Sequence, residues 1–408
     1  MSFKKREYVV AQVTKKGEIS LQKGHPWIYD AEVVSLDGDP ADGEIVDVVS
    51  SKGRFIGSGF YNSNSKIRIR LISRNANDKF DEAFFERRIR YAWEYRKTVM
   101  NGDLGCCRVI FGEADTFPGL TVDKFNDILV TQTLCLGIEQ RKDIIFPLLY
   151  KILTQDGHNI RGIFERNDVK VRELEGMKQG KGFYPLPGVP MPETTDVMIE
   201  ENGIKYHVDF ENGQKTGFFL DQKYNRQAAA KLARGKRVLD CFTHTGSFGL
   251  NAAAGGAEYV RAVDISQEAV DMARRNAQLN GLDGKMDFLC ENVFDLLSSM
   301  TGREGFDFII LDPPAFTKSR QTMENAVRGY KEINLRAMKL LPHGGYLATC
   351  SCSHFMSEQM FEDMLRSAAA DAHVSLRRIE YRQQAPDHPV LYNVPETEYL
   401  KFYLFQVV

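Results

Sequence analysis

The sequence has no apolar run approaching the roughly 20 residues that span a bilayer, so no helical membrane segment is expected. Its opening residues, MSFKKREYVV, carry neither the apolar stretch nor the small-residue cleavage site of a secretory leader. The seven cysteines (106, 107, 135, 241, 290, 350 and 352) are odd in number and form no CxxC pair. That pattern favours neither a disulfide framework nor a zinc site, and no metal is expected. A cytoplasmic, reduced protein is the expectation. There is no internal repeat, no low-complexity tract and no phosphate-loop lysine for a triphosphate. Charge of one sign is also missing: 53 basic against 55 acidic residues leave a net charge of −2. A chain that is basic all over is excluded, but a local stripe can still meet phosphates.

At 408 residues the chain is long enough for two or three domains, and its 43% hydrophobic and 26% charged content suits ordinary cores. The most organised stretch is Arg237–Ala254, RVLDCFTHTGSFGLNAAA. Val238 and Leu239 lead to Asp240, then a small-residue turn with Gly246, then an alanine-rich segment. This reads as strand, turn and helix, with the helix N-terminus offering unpaired N–H groups to a ligand. A second strand ends in Asp264, eighteen residues after Gly246, where a carboxylate can accept from a ribose diol.

Residues 1–75 read as a small β module, with short strands at Tyr8–Val13, Glu32–Ser35, Glu44–Ser50, Phe55–Tyr61 and Lys66–Leu71. Between the first two, GHPW reads as a turn plus a core tryptophan. KGHPWIYD, DGEIVDV and GSGFYN leading into IRIRL resemble a PUA domain, which implies RNA contact. Residues 76–190 read as a mixed central domain. It has a long helix at Phe80–Met100, strands at Cys107–Gly112, Leu120–Phe125, Ile128–Leu134 and Gly162–Arg166, and a helix at Gln140–Leu153. Three glycines and four prolines mark Lys178–Pro192 as a linker. Two basic clusters stand out as candidate RNA contacts. Lys66, Arg68 and Arg70 fall on one side of a strand. Arg87, Arg88, Arg90, Arg96 and Lys97 share a helix with Tyr91, Trp93 and Tyr95. Each cluster reads equally well as a solvated face.

Residues 191–408 alternate strands and helices as a doubly wound α/β sheet does, after a hairpin at Val197–Glu201 and Ile204–Asp209. The seven strands expected are Arg237–Asp240, Tyr259–Asp264, Met286–Cys290, Phe306–Leu311, Gly345–Ser351, Val374–Arg382 and Tyr399–Gln406. The last two form an antiparallel pair. This is the Rossmann-like pattern of a class I methyltransferase sheet. Its parallel strand ends converge on one edge, where ligands bind. Four segments meet there: DCFTHTG (Asp240, Phe242, Thr243, Gly246), VDIS (Asp264, Ile265), ENVFD (Asn292, Val293) and DPPAF (Asp312, Pro313, Phe316). Such an edge suits a nucleoside with a short charged arm. S-adenosylmethionine fits, with Asp264 on the ribose, the Asp240 turn on the methionine part, and Asn292 and Val293 at the adenine. The two prolines stiffen the DPPAF turn and place Phe316 where a flat base can stack.

The fifth strand ends in TCSCS. Carbon 5 of cytosine is a poor nucleophile. Methylating it requires a thiolate to add at carbon 6 and a proton to reach N3. Cys350 or Cys352 can supply the thiolate, and Asp312 can meet the N3/N4 edge. The competing reading is two buried, inert thiols.

GHPWIYD, KTGFFLDQKYNR, VLDCFTHTG, LDPPAF, TCSCS and QAPDHP together make the chain similar to the bacterial large-ribosomal-subunit RNA cytosine-C5 methyltransferases. The resemblance implies S-adenosylmethionine as donor, a 23S ribosomal RNA cytidine as acceptor, and a homodimer. It implies that Phe219, Asp221 and Gln222 close over the cofactor, which Asp240, Phe242, Gly246, Asp264, Asn292 and Asp312 contact. It also places Cys350 at the nucleophile position. There are departures. Pro314 stands where related enzymes carry a product-releasing cysteine, leaving Cys352, Asp387 or His388 for that task. Thr116-Phe117 replaces a smaller pair in the central domain. The alternatives are an RNA guanine-N methyltransferase using DPPAF without a thiol, a non-catalytic RNA-binding assembly factor, and a small-molecule methyltransferase.

Overall fold

The computed structural model describes residues 6–300, 305–317 and 320–408. The chain packs as two compact units. The first takes the residues up to Ile199 together with Val208–Leu220 and Pro386–Thr397. The second takes Glu200–His207, Asp221–Ala385 and Glu398–Val408. The hairpin of Asp196–Glu201 and Ile204–Asp209 is divided between them, with Glu200–His207 counted in the second unit.

The first unit holds two sheets. The N-terminal one has six strands in the order Trp27–Tyr29, Ile67–Ser73, Phe55–Tyr61, Ile45–Val49, Val9–Val13 and Val33–Leu36. Alternating apolar residues of these strands, with Leu21, close a small core around Ile28, Val46, Val48 and Ile69. GHPW is more than a turn, because Trp27 begins an edge strand and donates its indole N–H to Glu113 at 2.9 Å. A helix at Lys15–Gln22, capped by Thr14, was not expected from the sequence.

The second sheet has five strands, ordered Lys181–Tyr184, Gly162–Arg166, Ile128–Thr133, Leu120–Phe125 and Cys106–Phe111. The helices Glu82–Val99 and Lys142–Gln155 accompany it. The stretch expected to be a linker therefore contributes a strand, paired antiparallel with Gly162–Arg166. The two sheets are tied by charge. Arg70 bridges to Glu113 at 3.3 Å and Glu175 at 3.1 Å, and Arg141 lies over the Phe60 ring at 4.8 Å. This explains why the N-terminal and central segments pack as one unit.

The second unit is a seven-stranded sheet: β1 Arg237–Cys241, β2 Tyr259–Asp264, β3 Met286–Cys290, β4 Phe308–Leu311, β5 Tyr346–Ser351, β6 Leu376–Arg382 and β7 Lys401–Val407. The order is β3-β2-β1-β4-β5-β7-β6, parallel through β5 and antiparallel for the last two. Its central strands are buried on both faces and read as continuous apolar runs, as parallel strands must. Flanking helices start on side-chain caps. Ser266 accepts from the N–H of Ala269, Asn292 from Phe294, and Ser357 from Met360. The strand order reverses between β1 and β4, which is where such sheets leave a crevice.

Candidate active site

The loop after β1 is held in backbone conformations that side chains rarely adopt. Phe242 has φ 61°, His244 50° and Gly246 85°. Left-handed backbone at non-glycine residues costs energy and clusters at working sites. Here the surroundings hold it. Asp240 accepts from the Thr243 hydroxyl at 2.5 Å and from the Gly249 N–H at 2.7 Å, both on the same carboxylate oxygen. Thr243 donates its N–H to the Val263 carbonyl at 2.9 Å. A side chain at Gly249 would bring its Cβ to 2.9 Å from Asp240, so only glycine fits that approach.

The other oxygen of Asp240 is buried and unpartnered. Burial, with Asp312 and Asp264 nearby, lifts this carboxyl to about 7. A buried acceptor left open beside a helix N-terminus is the feature that a cationic or N–H-bearing ligand would satisfy. Asp264, half-buried at the end of β2, accepts from the N–H groups of His244 and Ser266 at 2.9 and 3.0 Å. Beside it Ile265 is 71% exposed, a large apolar side chain presented to solvent at the sheet edge. Asn292 caps the helix Val293–Ser299. The Val293 side chain is buried in the core, so only its backbone remains for an adenine edge.

Asp312 follows β4 and accepts from the Gln222 amide at 2.9 Å. The Gln222 amide is itself oriented, because its oxygen accepts from Asn225 at 2.7 Å and Asn225 in turn accepts from Arg382 at 3.1 Å. Burial, with Asp221 nearby, pushes the Asp312 carboxyl up to about 6. Asp221 is buried and accepts from the Tyr399 hydroxyl at 2.6 Å. Phe219, expected beside Asp221 and Gln222 at the cofactor, falls in the first unit, where Lys215 lies over its ring at 4.8 Å.

The two cysteines of TCSCS sit differently. Cys350 is 0% exposed, with Asp312 and Gln222 near its thiol. Burial and the Asp312 charge push that thiol well above its ordinary range, the reverse of what a ready thiolate needs. Cys352 lies one residue past the end of β5, is partly exposed, and donates to the Pro313 carbonyl at 3.9 Å. Phe316 is turned inward. Its ring packs on Tyr330 at 4.5 Å, Phe294 at 5.8 Å and Phe242 at 6.5 Å, so it braces the turn instead of extending for a base to stack.

The candidate RNA contacts divide as well. Lys66 is exposed just before its strand. Arg68 is tied to Asp30 at 2.6 Å and to the Asn62 carbonyl at 2.9 Å. Arg70 is locked between two carboxylates. On the long helix, Arg96 is fully buried, paired to Asp115 and to the carbonyls of Arg108 and Asp387. Asp387 and His388, weighed for product release, are buried in the first unit, where Asp387 accepts from the Arg108 N–H at 2.8 Å and contacts the His388 ring at 2.8 Å. A nearly buried cation not singled out from the sequence is Lys401. It is 4% exposed and donates to the carbonyls of Ser353 and Tyr399 at 2.8 Å each.

A family model for S-adenosylmethionine-dependent methyltransferases matches residues 184–406, and one for PUA-like domains matches 11–74. The chain belongs to that methyltransferase family. It is 41% identical over 396 residues to ribosomal RNA large subunit methyltransferase I of Aeromonas salmonicida, covering 96% of this chain and 98% of the relative. The protein of the same name from Escherichia coli is 40% identical, covering 98% of this chain and all of the relative. A Streptococcus mutans S-adenosylmethionine-dependent methyltransferase shares the fold with a TM-score of 0.79 at 22% identity, covering 98% of this chain and 100% of its own. A methyltransferase crystallised with SAH gives 0.80 at 21% identity, with the same coverage. The cofactor of this methyltransferase is S-adenosylmethionine. Among the described residues no cluster suits a metal ion, and no helix is long and apolar enough to cross a membrane.

Proposed function

We propose that this enzyme methylates carbon 5 of a cytidine in 23S ribosomal RNA, with Cys352 as the nucleophile. The observation that carries the reading is the placement of a partly exposed thiol against the DPPAF turn, next to a carboxyl group lifted to about 6. The Cys352 thiolate adds to carbon 6 of the base. Asp312, protonated for part of the time near neutral pH, gives a proton to N3, so that electron density gathers at carbon 5. Bound S-adenosylmethionine would supply an electrophilic methyl group to that carbon. A base, which solvent water can serve as, then takes the carbon-5 proton, the sulfur–carbon 6 bond breaks with its electron pair returning to sulfur, and the N3 proton goes back to Asp312. Asp264 would hold the cofactor's ribose, the Asp240 turn its methionine part, and Asn292 its adenine. Cys350 then has a supporting role, as a buried thiol packed near Asp312 and Gln222. The exposed Lys66 of the PUA-like segment would meet phosphate. The homodimer implied by the family resemblance is tested by light scattering.

RNA carrying 5-fluorocytidine at the target tests the chemistry, because fluorine cannot be removed as the carbon-5 proton is. Wild type and Cys350→Ala should form a covalent RNA adduct, and Cys352→Ala should not. If Cys352→Ala still transfers methyl groups at the wild-type rate, Cys352 is not the nucleophile; if Cys350→Ala does so as well, the carbon-5 reading fails, and transfer to a guanine nitrogen replaces it.

A further inference from the structure

The helix Glu82–Val99 places Arg88, Tyr91, Ala92 and Tyr95 at spacings of three and four, so they share one face. With Thr116 and the segment Pro389–Leu391 they line a cavity of about 370 Å³ that belongs wholly to the first unit. The methyl-transfer step does not use it. Tyr95 is held by its hydroxyl, which donates to the Pro386 carbonyl at 3.1 Å, and by the Arg96 guanidinium over its ring. Tyr91 is 62% exposed and has no such tether among the described residues. Arg88 differs from the other cations of its helix. Arg87, Arg90, Arg96 and Lys97 each meet a carboxylate within 3.0 Å. Arg88 has Asp78 at 4.0 Å, a carboxylate already taken by Arg87 and the Ser73 hydroxyl. It donates to the Ile72 carbonyl at 3.4 Å, and its Nε is buried with no partner. Burial lowers its pKa from the ordinary arginine value, and Asp78 offsets only part of that. A guanidinium so weakly paired on a cavity wall suits an anionic ligand. Thr116, on the same wall, has φ 61°. A β-branched residue is strained there, and such strain gathers at ligand sites.

We propose that this cavity is a subsite for one unstacked nucleotide of the RNA substrate, its base lying on Tyr91 and its phosphate meeting Arg88. This rests on the reading of ribosomal RNA as acceptor and does not depend on which cysteine is the nucleophile. The lining matches a nucleotide on both counts. Tyrosine rings and the half-buried Val390 and Leu391 take the flat face of a base, and an arginine takes phosphate through two N–H groups. What favours RNA over an acidic peptide is the exposed ring beside the cation, since every base has a face to stack and every nucleotide a phosphate. Stacking is tolerant of sequence, so the subsite adds affinity and register without choosing a base.

Photo-crosslinking tests the placement, and titration tests its weight. The full-length protein is irradiated with an unmodified 23S ribosomal RNA transcript carrying 4-thiouridine, and tryptic peptides are read by mass spectrometry. The peptide Tyr91–Arg96, bounded by Arg90 and Arg96, should carry a crosslinked nucleotide. Tyr91→Leu should weaken binding of the transcript about 5- to 150-fold, and Tyr91→Phe should restore it to within about twofold. Arg88→Met should lower the slope of log affinity against log salt by about 0.7–0.9, and Arg88→Lys should keep that slope. In methyl transfer, Tyr91→Leu should raise the KM for RNA and leave kcat and the KM for S-adenosylmethionine little changed, a split that misfolding would not produce. Equal affinity in wild type and Tyr91→Leu overturns the proposal, as does a crosslink map from which Tyr91–Arg96 is missing. If wild type still methylates the transcript in those cases, ribosomal RNA stands as the acceptor and the cavity passes to a protein partner. If wild type neither binds nor methylates the transcript, the ribosomal RNA reading falls and the subsite falls with it.

Discussion

The first unit and the strand ends of the second treat buried charge in opposite ways. In the first, Arg96 meets Asp115, Arg108 meets Asp123, and Arg70 meets Glu113 and Glu175. Opposite charges are neutralised side by side, and no carboxylate of these pairs is left seeking a partner. At the strand ends of the second unit, Asp240 and Asp312 are raised towards neutrality with no ion pair among the described residues to hold them, and Lys401 is lowered. Paired charge holds segments together. Unpaired charge, kept at a cost to stability, is what proton transfer and ligand binding draw on.

Asp312→Asn should give the largest effect. The amide keeps the shape and can still meet Gln222, but it has no proton to give. The rate of methyl transfer to RNA should fall about 10²- to 10⁴-fold, with the KM for S-adenosylmethionine changed little. An unchanged kcat in a tritium-transfer assay would mean that charge at this edge serves structure, as it does in the first unit.

Arg96→Met should do the reverse, costing stability and sparing the chemistry. Removing one partner leaves Asp115 buried and uncompensated, a loss of about 3–5 kcal/mol. The urea midpoint of the first unit should drop, while kcat per folded molecule stays within about twofold at 25 °C. The double variant Arg96→Met, Asp115→Leu should recover much of the loss. If the single variant unfolds where wild type does, the comparison between the units is wrong on the structural side.

How much of this was legible in the sequence follows from range of interaction. The seven strands of the methyltransferase sheet emerge within two residues of expectation, because buried parallel strands are apolar runs closed by polar turns. Lys181–Tyr184 was hidden by its flanking glycines and prolines. The helix Lys15–Gln22 was hidden by its polar composition and by Gly17. The choice between Cys350 and Cys352 was not legible. Period-two alternation puts both on one face, and only the end of β5 at Ser351 frees the second from the ladder. Lys401 was invisible for a related reason: Ser353, whose carbonyl it meets, lies far back in the chain, and only the β5–β7 register brings the two together. The basic stripes misled because a sequence does not show which acidic residues will come to neutralise them.

The raised carboxyls also predict a pH dependence. Between about pH 4 and 7 the folded protein holds a proton on Asp240 that the unfolded chain has released. The contribution is fully present below about pH 4 and is lost as the pH rises through 7. Asp312 acts in the same sense, up to about 6. Without cofactor, the second unit should therefore lose about 1–3 kcal/mol between pH 5 and 7, read from urea midpoints. Asp240→Asn should flatten much of that slope. A wild-type midpoint that rises over this interval would show that both carboxylates are ionised and satisfied.

The smallest effect separates two basic residues four positions apart. Lys66 is exposed, whereas Arg70 is held between Glu113 and Glu175. A phosphate contact releases counterions, so Lys66→Ala should weaken RNA binding only a few-fold and lower the slope of log affinity against log salt by about 0.7–0.9. Arg70→Ala has no phosphate to give up. It should leave the salt slope alone and instead destabilise the first unit, because Glu175 stays buried without its cation. Filter binding at several salt concentrations distinguishes the two. Should Arg70→Ala flatten the salt dependence and Lys66→Ala leave it intact, the guanidinium must leave its carboxylates for RNA, and the pairing that defines the first unit would be a resting state that binding breaks.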